Sequence, residues 1–378
     1  MSGEAWEYAA VFLAALLIAL VLTPLMVRLA NRWHVFDHPG DHKSHRFAVP
    51  YLGGVAMVAA LSVAVIVATL VSPPESGGDE LTIVVGIAVL LSLLGLADDL
   101  RGLGFAPRII VEIGAGAALW AVDAGVELTG SDLGDLVLTV IWVVGITNAF
   151  NLLDNMDGLS AGVAALGAGS CFVIAVANGQ FLIGGLSAAL GGCALGFLRH
   201  NFPPARIYMG DAGSLYLGFL LAYLAIKLRF DAPQDVTFLV PILVLGVPIL
   251  DTTLVVVTRL LHRRNPLEGG QDHVSHRLVR LGLPVPGAVG TIYVGAAACG
   301  IVALVVSRVD PTSAYLLAAL VVGIGLVVGV ALARVPVYDS ARTSRSKAAT
   351  TPAVRSRHAG ERRGGRPAPA RSRRRKGS

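Results

Sequence analysis

The chain has 378 residues, of which 54% are hydrophobic and 15% charged, and its mean hydropathy is +0.70. Soluble domains carry about 25% charged residues, so this composition excludes an ordinary soluble protein and indicates a polytopic membrane protein. The formal net charge of +5 owes much to a basic stretch from Arg342 onward. Three cysteines, Cys171, Cys193 and Cys299, lie inside apolar runs without CxxC spacing, which favours small core residues over disulfides or metal ligands.

Eleven apolar runs are candidates for membrane-spanning helices, because about 20 apolar residues cross about 30 Å of hydrocarbon. The runs are 8–30, 51–72, 81–97, 108–122, 135–150, 159–177, 181–198, 213–228, 236–259, 286–307 and 313–334. Acidic residues precede the first run and basic residues follow it, the reverse of a signal peptide, so we expect a retained first helix. The predicted fold class is therefore an all-α polytopic integral membrane protein.

The charges of the connections predict the orientation of these helices. Basic connections alternate with acidic or neutral ones, although Lys227, Arg229 and Arg308 run against the trend. The basic connections are 31–50, 98–108, 199–212 and 260–285, and acidic ones are 73–80 and 123–134. Because short cytoplasmic loops carry an excess of Lys and Arg, the N-terminus is predicted outside and the C-terminus in the cytoplasm.

Two domains are expected, a transmembrane domain over residues 1–335 and a basic tail over residues 336–378. The tail is rich in Arg, Lys, Pro, Gly and Ser and nearly free of large apolar residues. Such a segment is expected to be disordered. Beside a membrane it favours anionic lipid, and we predict no nucleic-acid partner.

Residues 148–162 read NAFNLLDNMDGLSAG and form a polar cluster between two apolar runs. The cluster contains two carboxylates and three amides: Asp154, Asp157, Asn148, Asn151 and Asn155. Polar groups at the end of an apolar helix are costly unless something charged occupies them, which favours a functional site at the membrane surface. A solvated interhelical turn would explain one Asp-Gly pair but hardly all five residues.

Two further acidic motifs fall on the same predicted face. Asp98 and Asp99 are adjacent where the third helix ends, and a divalent cation or a proton would relieve their repulsion and desolvation. Asp211 lies in MGDAGS at the start of the eighth helix, where it could cap the helix or hold the Mg²⁺ that accompanies a phosphate. Taken alone, Asp98 and Asp99 could be solvated acids at a helix end, and Asp211 could be a plain helix cap. Both alternatives stay open.

Cationic motifs accompany these acids. His273, His276 and Arg277 lie in DHVSHR, where cationic or hydrogen-bonding contacts to phosphate are favoured over a zinc site because no cysteine is near, and a surface histidine without a role stays open for either one. Lys43 could also contact phosphate, and an ordinary positive-inside loop is an equally good interpretation. Asp251 lies deep in the ninth run and must be protonated, paired or facing a polar cavity, three alternatives that the sequence leaves open.

All these motifs fall on connections predicted to be cytoplasmic, and they supply carboxylates and cations without a serine–histidine or cysteine–histidine nucleophile. Hard oxygen ligands suit Mg²⁺ or Mn²⁺. Phosphoryl transfer asks a protein mainly to position substrates and neutralise charge, which this inventory can do. A phosphate-binding loop of the GxxxxGK[ST] form is not present, so the nucleotide is not held as in P-loop enzymes.

Four motifs together, ADDLRG, NAFNLLDNMDGLSAG, NFPPARIYMGDAGS and DHVSHRL, resemble the polyprenyl-phosphate N-acetylhexosamine-1-phosphate transferases over roughly residues 20–330. The resemblance implies transfer of a sugar-1-phosphate from a UDP-sugar to undecaprenyl or decaprenyl phosphate, with release of UMP and a need for Mg²⁺. It also implies a bacterial cytoplasmic membrane, an active site facing the cytoplasm and the first membrane step of cell-wall or surface polysaccharide synthesis. A homodimer would fit the family.

The resemblance further implies roles for individual residues. Asp98 resembles the residue that deprotonates or orients the lipid phosphate, with Asp99 beside it, and Asp154 and Asp157 join them as catalytic residues. Asp211 is similar to the metal ligand of the family, with Asp154 beside the metal. The implied substrate-binding residues are Lys43, Arg101, Asn148, Asn151, Asn201, Tyr208, His273, His276 and Arg277. Among these, Asn201 and Tyr208 match positions near the uracil base and Arg101 a position near the diphosphate.

The sequence departs from the family pattern at two places. The family often has DGLDGL where this chain has DNMDGL, so Asn155 replaces a glycine, and it commonly has HxHH where Ser275 replaces the middle histidine. Because the consecutive histidines of the muramoyl-pentapeptide branch are missing, N-acetylglucosamine is the expected sugar.

Two other functions compete with this interpretation. Intramembrane carboxylates such as Asp251 also occur in transporters and channels, but those place their sites near the midplane and often show inverted repeats, which we do not find. A CDP-alcohol phosphotransferase would carry several aspartates spaced along one helix, and this pattern is not present.

Overall fold

Every predicted apolar run contains a helix in the computed structural model, which describes residues 5–37, 48–267 and 269–338. The thirteen helices of these residues are α1 (Ala5–Trp33), α2 (Gly53–Val71), α3 (Gly78–Arg101), α4 (Phe105–Ala121), α5 (Asp132–Leu153), α6 (Leu159–Ala177), α7 (Phe181–Asn201), α8 (Gly210–Ile226), α9 (Gln234–Val244), α10 (Gly246–Leu261), α11 (Val274–Arg280), α12 (Val285–Val306) and α13 (Pro311–Ala333). The helical membrane fold predicted from composition is confirmed.

Eight of the described helices are long and apolar enough to cross a membrane, or up to nine if α9 and α10 count as one span. The run 236–259 was predicted as one straight helix, but α9 and α10 meet at a bend of 74°. The eleven-span count and the orientation stay predictions. The basic tail beyond residue 338 lies outside the described residues.

Helix α8 is buried on all sides, since every residue from Ala212 to Ile226 is shielded from solvent. A helix that is apolar all round belongs in the centre of a bundle, and α8 packs against α2, α3 and α5. Its N-terminal end, at Gly210 and Asp211, is therefore surrounded by the ends of several neighbouring helices.

Two glycines let neighbouring helices approach the start of α8 closely. A Cβ at Gly95 of α3 would lie 2.4 Å from the carbonyl carbon and oxygen of Asp211. A Cβ at Gly54 of α2 would lie 2.3 Å from the amide nitrogen of Gly213. Small residues at such contacts allow backbone-to-backbone packing inside a membrane bundle. The sequence thus brings α2 and α3 against the segment that carries Asp211.

A short antiparallel pairing of β1 (Phe36–Asp37) with β2 (Val49–Pro50) flanks residues 38–47, a small departure from the all-α prediction. Lys43 falls between these strands, outside the described residues. The chain after β2 lies along the segment before α8, where the Tyr208 amide donates to the Pro50 carbonyl at 2.9 Å and the Gly53 amide to the Tyr208 carbonyl at 3.0 Å. This pairing fixes Tyr51 beside the N-terminal end of α8.

Candidate active site

Asp98 and Asp99, at the C-terminal end of α3, have different surroundings. The Asp99 carboxylate accepts hydrogen bonds from the amides of Asp211 (2.9 Å) and Ala212 (3.2 Å) and from the hydroxyl of Tyr51 (2.7 Å). Asp99 therefore caps the first turn of α8, where amide donors lack partners within the helix. Asp98 accepts from the Gly104 amide at 3.2 Å and lies 3.6 Å from the Arg108 guanidinium.

Arg108, in the first turns of α4, joins the motifs into one site. Its guanidinium donates to the Asp211 carboxylate at 2.8 Å and to the side-chain oxygens of Asn148 and Asn151 at 3.1 Å each. From the sequence, Arg108 was expected only as one charge of the basic connection 98–108, so this role was missed. A usable signal was present, because Arg108 and Glu112 lie four residues apart in an apolar run, and intramembrane charges usually pair and mark functional sites.

The end of α5 supplies the amides that hold Asp211. Asn151 donates to the Asp211 carboxylate at 2.7 Å and to the Ser214 hydroxyl at 3.0 Å. One turn earlier, Asn148 donates to Glu112, which is fully buried. A buried carboxylate is costly unless it is paired and hydrogen-bonded, and Asn148 with the nearby Arg108 meets that need. The end of α5 is therefore part of a hydrogen-bonded polar network inside the protein and not a solvated turn.

A cavity of about 230 Å³ opens beside these side chains. Its lining residues are Asp37, Tyr51, Asn151, Asp154, Asn155, Met156, Asp157, Asn201, Tyr208, Gly210, Asp211, Gly270 and His276. They come from the segments around β1 and β2, the α5–α6 turn, the end of α7, the start of α8 and the segment that includes α11. Elements distant in sequence thus converge on one polar cavity.

The α5–α6 turn places two carboxylates in this cavity. Burial, together with the negative charges of Asp211, Asp99 and Asp157, raises the pKa of Asp154 to about 8. The Asp157 carboxylate accepts from the Ala205 amide at 2.8 Å. Burial and the charge of Asp157 raise the pKa of the Tyr208 hydroxyl. Among the described lining residues, carboxylates outnumber basic side chains, so a ligand or ion that brings positive charge would be favoured there.

The predicted Mg²⁺ site is chemically consistent with this cavity. Among the described residues, no three carboxylate, imidazole or thiol side chains are grouped closely enough to hold a metal ion on their own. Mg²⁺, however, is usually bound through one or two carboxylates together with substrate phosphates and water. The oxygen donors of Asp154 and Asp211 suit such an ion, and a proton or a cation would relieve the cost of burying the Asp154 carboxylate, whose pKa is raised mainly by burial.

The other predicted binding residues differ in their surroundings, since two face the protein interior and one is exposed. Asn201 is 2% exposed, accepts from the Gly158 amide at 3.0 Å and donates to the Ile207 carbonyl at 2.9 Å, so its amide shapes the cavity wall. Arg277 is fully buried, and its guanidinium donates to the Leu332 carbonyl at 2.9 Å. Arg101 is exposed at the end of α3 and does not line the cavity.

The histidine motif at the start of α11 supplies the partner of Asp251. The Asp251 carboxylate is 1% exposed, is paired with His273 Nδ1 at 2.8 Å and accepts from the Val274 amide at 2.7 Å. Asp251 is therefore paired, one of the three alternatives left open. His273 is buried in this pair, whereas His276 lines the cavity.

Comparison with known proteins identifies the class to which this fold and site belong. Residues 81–229 match the model of the protein family described as "Glycosyl transferase family 4". The chain is 34% identical to a probable undecaprenyl-phosphate N-acetylglucosaminyl 1-phosphate transferase of Bacillus subtilis over 75% of this chain and 80% of that protein. It is 31% identical to decaprenyl-phosphate N-acetylglucosaminephosphotransferase of Mycolicibacterium smegmatis over 87% of this chain and 88% of that protein. The chain therefore belongs to glycosyl transferase family 4 and, within it, to the branch of the polyprenyl-phosphate N-acetylglucosamine-1-phosphate transferases.

Proposed function

We propose that this protein transfers N-acetylglucosamine-1-phosphate from UDP-N-acetylglucosamine to a polyprenyl phosphate, giving polyprenyl-diphospho-N-acetylglucosamine and UMP. The observation that carries the proposal is that Asp154 and Asp211 line one cavity in a chain of this branch, while Arg108 joins Asp211 to Asp98. The names of the relatives support the sugar and the lipid acceptor.

In the proposed reaction, an oxygen of the lipid phosphate attacks the β-phosphorus of the UDP-sugar. A new phosphorus–oxygen bond forms while the bond between the β-phosphorus and the bridging oxygen breaks, and UMP leaves with that oxygen. Asp98 lies where it can orient the lipid phosphate or take its proton, 3.6 Å from Arg108. Arg108 can turn from Asp211 towards the diphosphate and offset its negative charge.

Asp211 and Asp154 would hold Mg²⁺, with Mn²⁺ as an alternative, and the bound ion would supply positive charge to the diphosphate. Asn151 would keep Asp211 in position through the hydrogen bond at 2.7 Å. Tyr208 and Asp157 also line the cavity, where they would contact the nucleotide. Asp99 supports the start of α8. A single displacement needs no covalent intermediate on the protein.

The proposed setting is a bacterial cytoplasmic membrane with the cavity facing the cytoplasm. The ends of α5 and α7 and the start of α8 border the cavity, and the end of α3 contacts the start of α8 through Asp99. At the other end of the same bundle, Glu80 of α3 is paired with Lys227 after α8 at 2.9 Å and accepts from Tyr223 at 2.8 Å. A one-sided site of this kind supports a transferase over a transporter. An eleven-span topology and a homodimer belong to the same proposal.

Release of UMP tests this function directly. Purified full-length protein in detergent is incubated with undecaprenyl phosphate and each of a panel of UDP-sugars, with Mg²⁺ or with EDTA. We expect UMP from UDP-N-acetylglucosamine only when lipid phosphate and Mg²⁺ are both present. UMP production that does not depend on the lipid, or preference for another UDP-sugar, would contradict the proposal.

A further inference from the structure

Two of the residues that depart from the family pattern, Asn155 and Ser275, lie in direct contact. The Ser275 hydroxyl of α11 donates to the side-chain oxygen of Asn155 at 2.6 Å. Asn155 lies in the α5–α6 turn and lines the cavity, while Ser275 is 1% exposed beneath it. The contact joins the turn that carries Asp154 and Asp157 to the helix that carries His276.

The orientation of the Asn155 amide follows from its other partner. Its nitrogen donates to the Leu152 carbonyl at 2.7 Å. A carbonyl oxygen can only accept, so the amide nitrogen must face Leu152 and the amide oxygen must face Ser275. The Ser275 hydroxyl has a single proton, and the short bond to Asn155 uses it.

His276 completes the chain of hydrogen bonds. Its Nδ1 lies 3.3 Å from the Ser275 hydroxyl oxygen. Because the single proton of that hydroxyl is used in the hydrogen bond to Asn155, the hydroxyl oxygen can only accept a hydrogen bond from His276. Nδ1 must therefore carry a proton. Burial and the neighbouring His273 lower the pKa of His276 to about 4, which keeps the ring neutral near pH 7. A neutral ring with a proton on Nδ1 has a lone pair on Nε2.

We propose that Asn155 and Ser275 are positioning residues that hold His276 in its Nδ1-protonated tautomer, so that Nε2 accepts a hydrogen bond from a hydroxyl or amide N–H group of the bound nucleotide sugar. This inference rests on the proposed function for the identity of the ligand. His276 then accepts a hydrogen bond from the substrate, whereas the sequence favoured a contact, cationic or hydrogen-bonding, to phosphate.

The tautomer can be measured on the protein without substrate. Full-length protein with ¹⁵N-labelled histidine rings is compared with His276→Gln, which identifies the His276 signals among the nine histidines. We expect a fixed Nδ1–H tautomer in the wild type and its loss in Ser275→Ala and Asn155→Ala. If His276 keeps the same tautomer in both variants, the inference is wrong, whatever the protein catalyses.

Substrate affinity gives a second readout. We expect Ser275→Ala to raise KM for UDP-N-acetylglucosamine by about fivefold and to leave kcat within about twofold of the wild type. The reason is that His276 is no longer held in the tautomer that accepts one hydrogen bond from the substrate. Asn155→Ala should have a similar effect, and the double variant should be no worse than the larger single effect because both act through one chain of hydrogen bonds. Ser307→Ala and Asn178→Ala are matched controls, since those side chains donate to carbonyls of their own helices, Leu304 and Ile174.

Binding of UDP-N-acetylglucosamine and of UDP shows which part of the substrate donates the hydrogen bond to His276. Weaker binding of UDP-N-acetylglucosamine alone in Ser275→Ala assigns the donor to the sugar, and equal weakening of UDP assigns it to the nucleotide. Unchanged binding of both ligands overturns the inference. Should Ser275→Ala unfold more readily than the wild type, Asn155→Ala tests the same chain of hydrogen bonds from the end that lines the cavity. Absence of turnover in the wild type would refute the proposed function and leave the tautomer measurement standing.

An exchange of both residues tests whether the two departures belong together. Because Ser275 is 1% exposed, the larger ring in Ser275→His lacks space while the Asn155 side chain is present. We expect Ser275→His to lower the melting temperature and the added change Asn155→Gly to restore part of that loss. A double variant as unstable as the sum of the single variants would show that the positions are independent.

Discussion

Arg108 is the cation at the centre of the proposed site. Its planar guanidinium contacts Asp211, Asn148 and Asn151 at once, with distances between 2.8 and 3.1 Å. A lysine has a single ammonium group and cannot reproduce this forked geometry. The side chain is 14% exposed, so water does not replace a lost contact readily.

We predict that Arg108→Lys lowers kcat/KM by about a hundredfold, because two or more charge-assisted hydrogen bonds are lost at about 1.5 kcal/mol each. The measurement is steady-state UMP release. Arg308→Lys, an exposed arginine after α12, is the matched control and should retain wild-type activity. An Arg108→Lys variant with nearly full kcat/KM would show that the forked contacts are dispensable.

The sequence identified most cavity residues but few of their partners. Asp154, Asp157 and Asp211 stood out because carboxylates are rare in apolar surroundings. Tyr51 did not, since a single tyrosine before a helix is unremarkable until Asp99 is seen to accept its hydroxyl at 2.7 Å. The buried state of Arg277 was equally hidden, because its partner is the Leu332 carbonyl, 55 residues away in the chain.

Helix α3 reaches the start of α8 through Gly95, and this contact sets the distance between the Asp98–Asp99 pair and Asp211. A Cβ at position 95 would lie 2.4 Å from the carbonyl oxygen of Asp211, and this backbone cannot move aside as a flexible side chain would. The same helix contains Gly86, where an added Cβ meets nothing within 4 Å. One helix thus provides both the test and its control.

We predict that Gly95→Ala costs at least about tenfold in kcat/KM, because α3 must shift relative to α8, and that it also lowers the melting temperature. Gly86→Ala should leave both quantities unchanged or raise stability slightly, since alanine favours helix more than glycine does. Activity and thermal unfolding in the same detergent provide the comparison. Equal behaviour of the two variants would argue against close packing of α3 on the start of α8.

The bend between α9 and α10 shows a limit of sequence reasoning at the scale of elements. The run 236–259 is continuously apolar, so hydropathy predicted a single span. Gly246 and Pro248 were the available signals, because glycine weakens a helix and proline lacks the amide needed in its interior. The bend of 74° turns α10, with Asp251, towards the histidine motif.

The orientation of the whole molecule can be tested with two exposed loop positions. Ser76 precedes α3 at the end of the bundle opposite the cavity, and Asn265 lies between α10 and α11. In intact cells we predict that Ser76→Cys reacts with a membrane-impermeant maleimide, and that Asn265→Cys reacts only after permeabilisation, because the proposed orientation turns the cavity towards the cytoplasm. The native Cys171 and Cys193 are buried. Labelling of Asn265→Cys in intact cells would reverse the proposed orientation.

At the scale of the molecule, the proposed function requires helices far apart in sequence to bring their acids to one diphosphate-binding site. The most direct measurement is lipid-dependent UMP release from UDP-N-acetylglucosamine by the folded variants Asp98→Asn, Asp154→Asn and Asp211→Asn, each compared with Asp231→Asn in the connection between α8 and α9. We predict that each of the first three loses at least about a thousandfold in rate, since removal of a group acting on the transition state costs several kcal/mol. Asp231→Asn should match the wild type. Near-normal rates in the Asp98, Asp154 and Asp211 variants would contradict a shared active site.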